Sequence, residues 1–274
     1  MTRSGRDILL GRTLLIVFML ATLTPFASIF TAALAPPGSS PTGISWPSDP
    51  HWHNFIDAFH AADLLPLLGS SALIVAGVVP AALLLAAAAG YGLATLRIPG
   101  GRLVYLLLLL GLTVPLESLI TPLYYEVQSF GLLNSRWALI LPLLGLYMPF
   151  GVFWMRAYFQ SLPEELTEAA AIDGAGPWTM FRRIHLPLAT PALSSLAILF
   201  FLWTWNQFIL AIALVDDPNK RTAAGALGAF QGQYGTDVVL LSAGSLLIMA
   251  PTVIIFVIFQ RHFVAALLQG SVKG

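Results

Sequence analysis

Residues 160–185 read QSLPEELTEAAAIDGAGPWTMFRRIH, a polar stretch between two charge-free windows, one from Arg136 to Arg156 and one within Leu186 to Val215. Its composition predicts two short helices. Ser161 is placed to cap the first, Pro163 suits its opening turn, Glu164 and Glu165 complement the positive end of the helix dipole, and Gly174 supplies a stop. Ala169, Ala170 and Ala171 give that helix a small-residue face. The second helix begins near Pro177 and puts Trp178, Phe181 and Arg182 on neighbouring turns, before Ile184 and Pro187 lead into the next apolar window. By residues alone, the stretch also fits a solvated connection between helices.

The surroundings of this stretch decide the fold class. Of 274 residues, 57% are hydrophobic and 9% charged, where soluble domains carry about 25% charged residues. One water-soluble core cannot hide that much apolar surface, so lipid is the natural solvent for much of the chain. Leu14 to Leu34 is long enough to cross about 30 Å of hydrocarbon and reads as a retained signal-anchor helix, not a cleaved leader. Further charge-free windows lie between Asp63 and Arg97, Arg102 and Glu117, Arg136 and Arg156, within Leu186 to Val215, and between Asp237 and Arg261. The expectation is an all-α membrane protein with six transmembrane helices, each window forming one helix. Gly, Ala and Ser inside the windows suit close helix packing, and Pro115, Pro142, Pro149, Pro191 and Pro251 are tolerated where neighbours satisfy the freed carbonyls.

Basic residues partition unevenly between the two sides of such a bundle. One side collects Arg3, Arg6, Arg12, Arg97, Arg102, Arg156, Arg182, Arg183, Arg261 and Lys273, and the other holds Arg136, Lys220 and Arg221. Cytoplasmic loops are the basic ones, so both termini and residues 160–185 are expected in the cytoplasm and Ala35 to Leu65 outside. Net charge is zero, which argues against binding to nucleic acid through overall basicity. The absence of cysteine excludes disulfides, thiolate nucleophiles and cysteine metal clusters. In the outer loop, His51 and His53 flank Trp52, with His60 further on; this set does not complete a metal site, and an interfacial aromatic loop is the better reading.

Glu168-Ala169-Ala170, then Asp173-Gly174-Ala175, then Phe181, Ile184, Leu186-Pro187 and Pro191 resemble the EAA loop of ABC importer permeases. The resemblance covers nearly the whole chain through Trp52–Phe55, Tyr91–Gly100, Pro115–Leu123, Gly131–Asn134, Trp205–Phe208 and Phe259–Gly274. It is similar to carbohydrate permeases of the MalG type, in the bacterial inner membrane. What the resemblance implies is a MetI-like permease fold with cytoplasmic coupling helices, in which Glu168, Ala169, Ala170, Asp173, Gly174, Ala175, Phe181 and Pro187 contact a separate ATPase. It implies a domain plan of residues 1–66 (first helix and external loop), 67–262 (permease core, EAA loop at 160–187) and 263–274 (cytoplasmic tail), with Gly270–Gly274 near the ATPase interface. A second homologous permease subunit, two cytoplasmic ATPase subunits that bind ATP and Mg, and an external solute-binding protein complete the implied importer of a sugar, an oligosaccharide or disaccharide.

Polar groups at membrane depth nominate a solute path: Glu117 between Pro115 and Pro122, and Trp205, Asn206 and Gln207, which combine a flat aromatic face with amides. An interfacial carboxylate and inter-helix hydrogen bonding account for the same residues. No GxxxxGK[ST] loop is present, so ATP hydrolysis belongs to a partner and the chain is a transport subunit without cofactor or enzyme activity. An intramembrane enzyme would need HExxH, GxSxG or a comparable set, none of which occurs. An ion-coupled transporter, or an importer of another small polar solute, stays open as an alternative.

Overall fold

The computed structural model describes residues 5–271 except 97, 226, 228–230 and 233–234. Arg3, Arg97 and Lys273 of the basic partition, and residues 272–274 of the tail, lie outside the described residues. The chain divides into two compact units, Met1–Leu65 with Leu227–Pro251, and Pro66–Ala226 with Thr252–Gly274.

In the first unit, α1 (Gly5–Ala33) is exposed over residues 9–26, as an apolar helix bathed in hydrocarbon would be. Its C-terminal carbonyls need donors. The buried Asn54 amide supplies them, donating to Ala33 O at 2.9 Å and Ala35 O at 2.8 Å. Asn54 opens α2 (Asn54–Ala61), so the latch ties the segment that follows α1 to the end of that helix. Trp46 and Trp52 meet the Phe30 ring at 6.4 and 6.1 Å. The β1 segment (Gln231–Gly232) pairs antiparallel with β2 (Gly235–Thr236), Gln231 opposite Thr236.

The second unit takes up α3 (Leu64–Thr95), α4 (Gly101–Gly111), α5 (Leu116–Ser129), α6 (Trp137–Ser161), α7 (Glu164–Ile172), α8 (Pro177–Met180), α9 (Leu186–Leu188), α10 (Thr190–Trp205) and α11 (Ile209–Leu214), while α12 (Val238–Ser271) runs through both units. Among the described residues, four helices are long and apolar enough to span a membrane, and two bent pairs bring the number to six if each pair is one span. The third and fifth windows are therefore not the continuous helices their composition suggests. α4 and α5 meet at 106° and the α8–α9 arm meets α10 at 74°. A proline stands at each break: Pro115 caps α5 and Pro191 lies in the first turn of α10, where its missing N–H cannot continue the ladder of the preceding helix.

Glycines let α3 and α6 touch along their length. A Cβ at Gly77 would lie 2.9 Å from Ile140 Cδ1, one at Gly90 2.7 Å from Met155 Cβ, and one at Gly151 2.8 Å from Ala86 Cβ. The two helices run parallel, residues 77, 86 and 90 of α3 meeting 140, 151 and 155 of α6, so their ends define two faces. At one end Arg136 donates to Ser70 Oγ at 2.9 Å and to Asn219 O at 3.1 Å, Ser71 Oγ accepts Ala223 N–H at 2.7 Å, and Asn134 Oδ1 accepts Asp217 N–H at 2.8 Å. The Asp217 carboxyl sits below the usual carboxylate range because it accepts Asn219 N–H and faces Lys220 at 3.3 Å. At the other end, 21 residues along from Ser70, Tyr91 meets the polar loop, about 32 Å away at 1.5 Å per residue. That separation matches the hydrocarbon thickness.

Gly90→Val tests the crossing, because the added carbons would press on the Arg156 backbone N at 2.9 Å as well as on Met155. We expect a loss of about 1–3 kcal/mol in stability, read as a lower melting temperature of the detergent-purified chain. Gly145→Ala, which meets nothing within 4 Å, is expected to leave it unchanged.

Candidate functional site

The polar loop is built on α7 and α8, and two local devices shape it. Glu164 and Glu165 lie in the first turn of α7, where the helix dipole favours them. Ser161, expected from its position to cap this helix, instead closes α6 and donates to Tyr158 O at 2.7 Å, and Pro163 occupies the cap position without a side-chain bond. The helix ends in a Schellman motif: Gly174 at φ +78° donates to Ala171 O at 3.0 Å, and Ala175 donates to Ala170 O at 2.9 Å. Asp173 is the last residue before that reversal, and only glycine takes the following conformation without strain.

After the reversal, α8 continues into a π-helical turn over Phe181–His185, where Leu186 N–H reaches Phe181 O. This turn seats an aromatic cluster at the end of α3 and α6. Tyr91 lies 5.1 Å from Phe181, 4.9 Å from His185 and 5.9 Å from Phe159 between ring centroids, and its hydroxyl donates to Pro177 O at 3.0 Å. Tyr158 donates to Leu188 O at 2.7 Å and Trp154 Nε1 to Ala192 O at 3.2 Å, so α6 holds both sides of the bend between α9 and α10. Arg156 donates to Leu93 O at 3.3 Å and stands 4.0 Å over the Tyr105 ring, fastening α4 to the same end.

The structure separates the residues nominated on this loop. Glu168, Ala169, Asp173, Gly174 and Pro187 are exposed, Ala175 is half-buried, and Phe181 and Ala170 are buried. Ala170, 6% exposed, packs inward, so the three alanines do not form one outward face; successive helix positions are 100° apart and cannot share one. What the loop presents instead is Ile172, 87% exposed, and Trp178, 69% exposed, with Leu166 exposed to a lesser degree. Leu166, Ile172, Thr167, Tyr91, Phe159 and His185 carried no signal that separates them from packing residues.

The residues nominated for a solute path stand in different settings. Glu117 is exposed in the first turn of α5. Trp205, 6% exposed, stacks on Phe201 at 5.5 Å and belongs to the core. Its ring is packed away in this structure; the face turned outward is that of Trp203, which leans on Tyr147, Phe150 and Phe200. Asn206 ends α10 and donates to Leu202 O at 2.8 Å, and Gln207 Oε1 accepts Leu210 N–H at 3.4 Å, so both amides serve the helix break. A cleft of about 270 Å³ between α5 and α6 is lined mainly by apolar side chains, with Glu126 and Trp137 at its margin. No group of three or more His, Cys, Asp or Glu able to hold a metal occurs among the described residues. His53 instead faces Asp57 at 3.4 Å.

Comparison with known proteins places this geometry. The chain is 33% identical over 269 residues to the diacetylchitobiose uptake system permease protein NgcG of Streptomyces coelicolor, covering 96% of this chain and 88% of that one. It is 36% identical over 259 residues to the trehalose transport system permease protein SugB of Mycobacterium tuberculosis, covering 92% and 93%. Its fold superposes on a chain of a bacterial ABC transporter involved in import of the acidic polysaccharide alginate with a TM-score of 0.78 at 21% identity, covering 96% of this chain and 99% of that one. Residues 79–269, which include the loop, both bent spans and the α3–α6 crossing, match the binding-protein-dependent transport system inner membrane component, and the chain is a multi-pass permease belonging to that family.

Proposed function

We propose that this chain is the permease subunit of an ATP-driven importer that passes a sugar, an oligosaccharide or disaccharide, from an external binding protein into the cytoplasm, and that Glu164 to Pro187 is the arm gripped by a separate ATPase. One observation carries the reading. Ile172 and Trp178 stand exposed on a segment whose neighbours Glu164, Glu165, Glu168 and Asp173 keep it in water. Apolar groups held out on a rigid polar arm are unfavourable unless a partner covers them. The Schellman stop at Gly174 and the inward Ala170 fix how those two side chains are presented. Sugar as the solute is supported by relatives named for diacetylchitobiose and trehalose uptake.

In this assembly a second permease subunit completes the pore, two ATPases bind ATP and Mg, and closure of the ATPases reaches the membrane as a rigid-body movement. Both termini and the arm face the cytoplasm, in keeping with Arg102, Arg156, Arg182 and Arg183 near one end of the bundle and Arg136, Lys220 and Arg221 near the other. Glu117, Asn206 and Gln207 face the solute at some stage of the cycle, and Trp205 does so only if α10 unpacks.

Three experiments test these assignments. Ile172→Asp and Trp178→Asp are expected to reduce ATPase co-purification about tenfold or more, about 1.4 kcal/mol, without loss of membrane insertion; full retention in both would leave the arm as a solvated connection. Glu168→Cys in this cysteine-free chain is expected to react with a membrane-impermeant maleimide only after permeabilisation, and labelling of intact cells would reverse the topology. Glu117→Ala and Asn206→Ala are expected to lower uptake several-fold, about 1 kcal/mol each, with ATPase retention unchanged; normal uptake in both would remove them from the path.

A further inference from the structure

We infer that His185 is a positioning residue that pins the first half of the arm, α7, to the second half, α8 through α9, and so determines how much of a partner's movement reaches α10. The inference rests on the coupling role proposed above and adds the residue that makes the arm stiff.

His185 is 3% exposed and closes the π-helical turn. Its Nδ1 lies 3.3 Å from Met180 O, and its Nε2 lies 3.3 Å from Thr167 Oγ1. A neutral ring with its proton on Nδ1 satisfies both, donating to the carbonyl and accepting from the hydroxyl. Among the described residues this is the one side-chain hydrogen bond that α7 makes outside itself. The small methyl of Ala170 on α7 is buried as well. Two such ties fix both position and rotation, where the methyl alone fixes neither.

Packing does not account for the residue type. The ring stands among Tyr91 at 4.9 Å and Phe159 at 5.9 Å, and a phenyl group would fill that place without the cost of burying a polar ring. What histidine adds is two directed bonds to two different segments. The π-helical turn aims them: its extra residue rotates all that follows by about 100° relative to an uninterrupted α-helix. On the far side, Leu188 O is held by Tyr158 and Ala192 O by Trp154. A displacement of α7 is thus handed through His185 to the bend at the head of α10.

The test uses Thr167→Val, which keeps shape and removes one bond, His185→Phe, which keeps the ring and removes both, and Thr167→Ser as the conservative rescue. Nitroxides at Ala169→Cys and Arg182→Cys, both exposed positions, report the distance across the arm in the purified full-length chain. We expect Thr167→Val and His185→Phe to broaden that distance distribution about twofold and Thr167→Ser to restore it. In the assembled importer, MgATP with vanadate is expected to move a reporter at Ser194→Cys in α10. That shift is expected to shrink about twofold or more in the first two variants, the scale of a single coupling contact, with KM for MgATP unchanged. An unchanged distribution, a full shift despite broadening, or no rescue by serine would overturn the pin. Absence of any nucleotide-driven shift in the wild-type importer would instead sink the coupling role, and the distribution in the isolated chain would still decide whether His185 fastens the arm.

Discussion

Inside hydrocarbon every backbone carbonyl released by a helix break must find another donor, and this constraint orders the whole second unit. Pro191 removes the N–H that would reach Pro187 O, and Thr190 Oγ1 takes that carbonyl at 2.7 Å. Around the same bend Tyr158 and Trp154 cover Leu188 O and Ala192 O. At the other break, Val114 N–H reaches Gly111 O at 3.4 Å, and Ser118 Oγ and Thr113 Oγ1 donate to Pro115 O and Leu110 O. Among the described residues Thr252 Oγ1 is the one buried side-chain oxygen or nitrogen left without a partner. The bends are therefore built features with their own donors, and at the bend between α9 and α10 two of those donors, Tyr158 and Trp154, come from α6.

α6 can act this way because the glycines at its contacts remove what would hold α3 away. The Tyr147 ring stacks on Phe200 at 4.9 Å and its hydroxyl accepts from buried Thr204 at 3.2 Å, so the same helix also grips the middle of α10. From its cap residue Arg136 to Tyr158 near its other end, α6 is tied to α3, α4, α9 and α10. Close packing of this kind transmits displacement with little give.

How much of this was legible in the sequence follows from what each signal measures. Hydropathy reports length and solvent, so the membrane class and the windows were readable, but it is blind to direction, and only the structure turns two windows into bent pairs. Gly174 was readable because a left-handed φ leaves glycine as the residue without strain. The outward face of α7 was not: three consecutive alanines look like a surface in one dimension and point three ways on a helix. The burial of Trp205 was hidden for a related reason, since an aromatic beside amides has the composition of a sugar site and equally that of a helix end packed into a core. His185 gave no signal in the sequence, because a histidine beside two arginines looks solvated in one dimension, and it is a buried ring with two partners.

The arrangement separates what the arm shows from what holds it. The residues that resemble the family motif include Glu168 and Asp173, which stay in water, and Ala170 and Phe181, which are buried. A motif that mixes the two kinds constrains a shape as much as a contact. Small Ala170 lets α7 lie close to the bundle, Gly174 reverses the chain in one residue, and Phe181 returns it to Tyr91, so that Ile172 and Trp178 emerge from a fixed frame. The frame is anchored by side chains on α3 and α6 and not by the hydrogen-bond ladder of α7, which has nine residues and is too short to be stable alone in water. Stiffness in the arm is thus supplied by the membrane helices, and a movement imposed on the arm is carried straight back to the helices that define it.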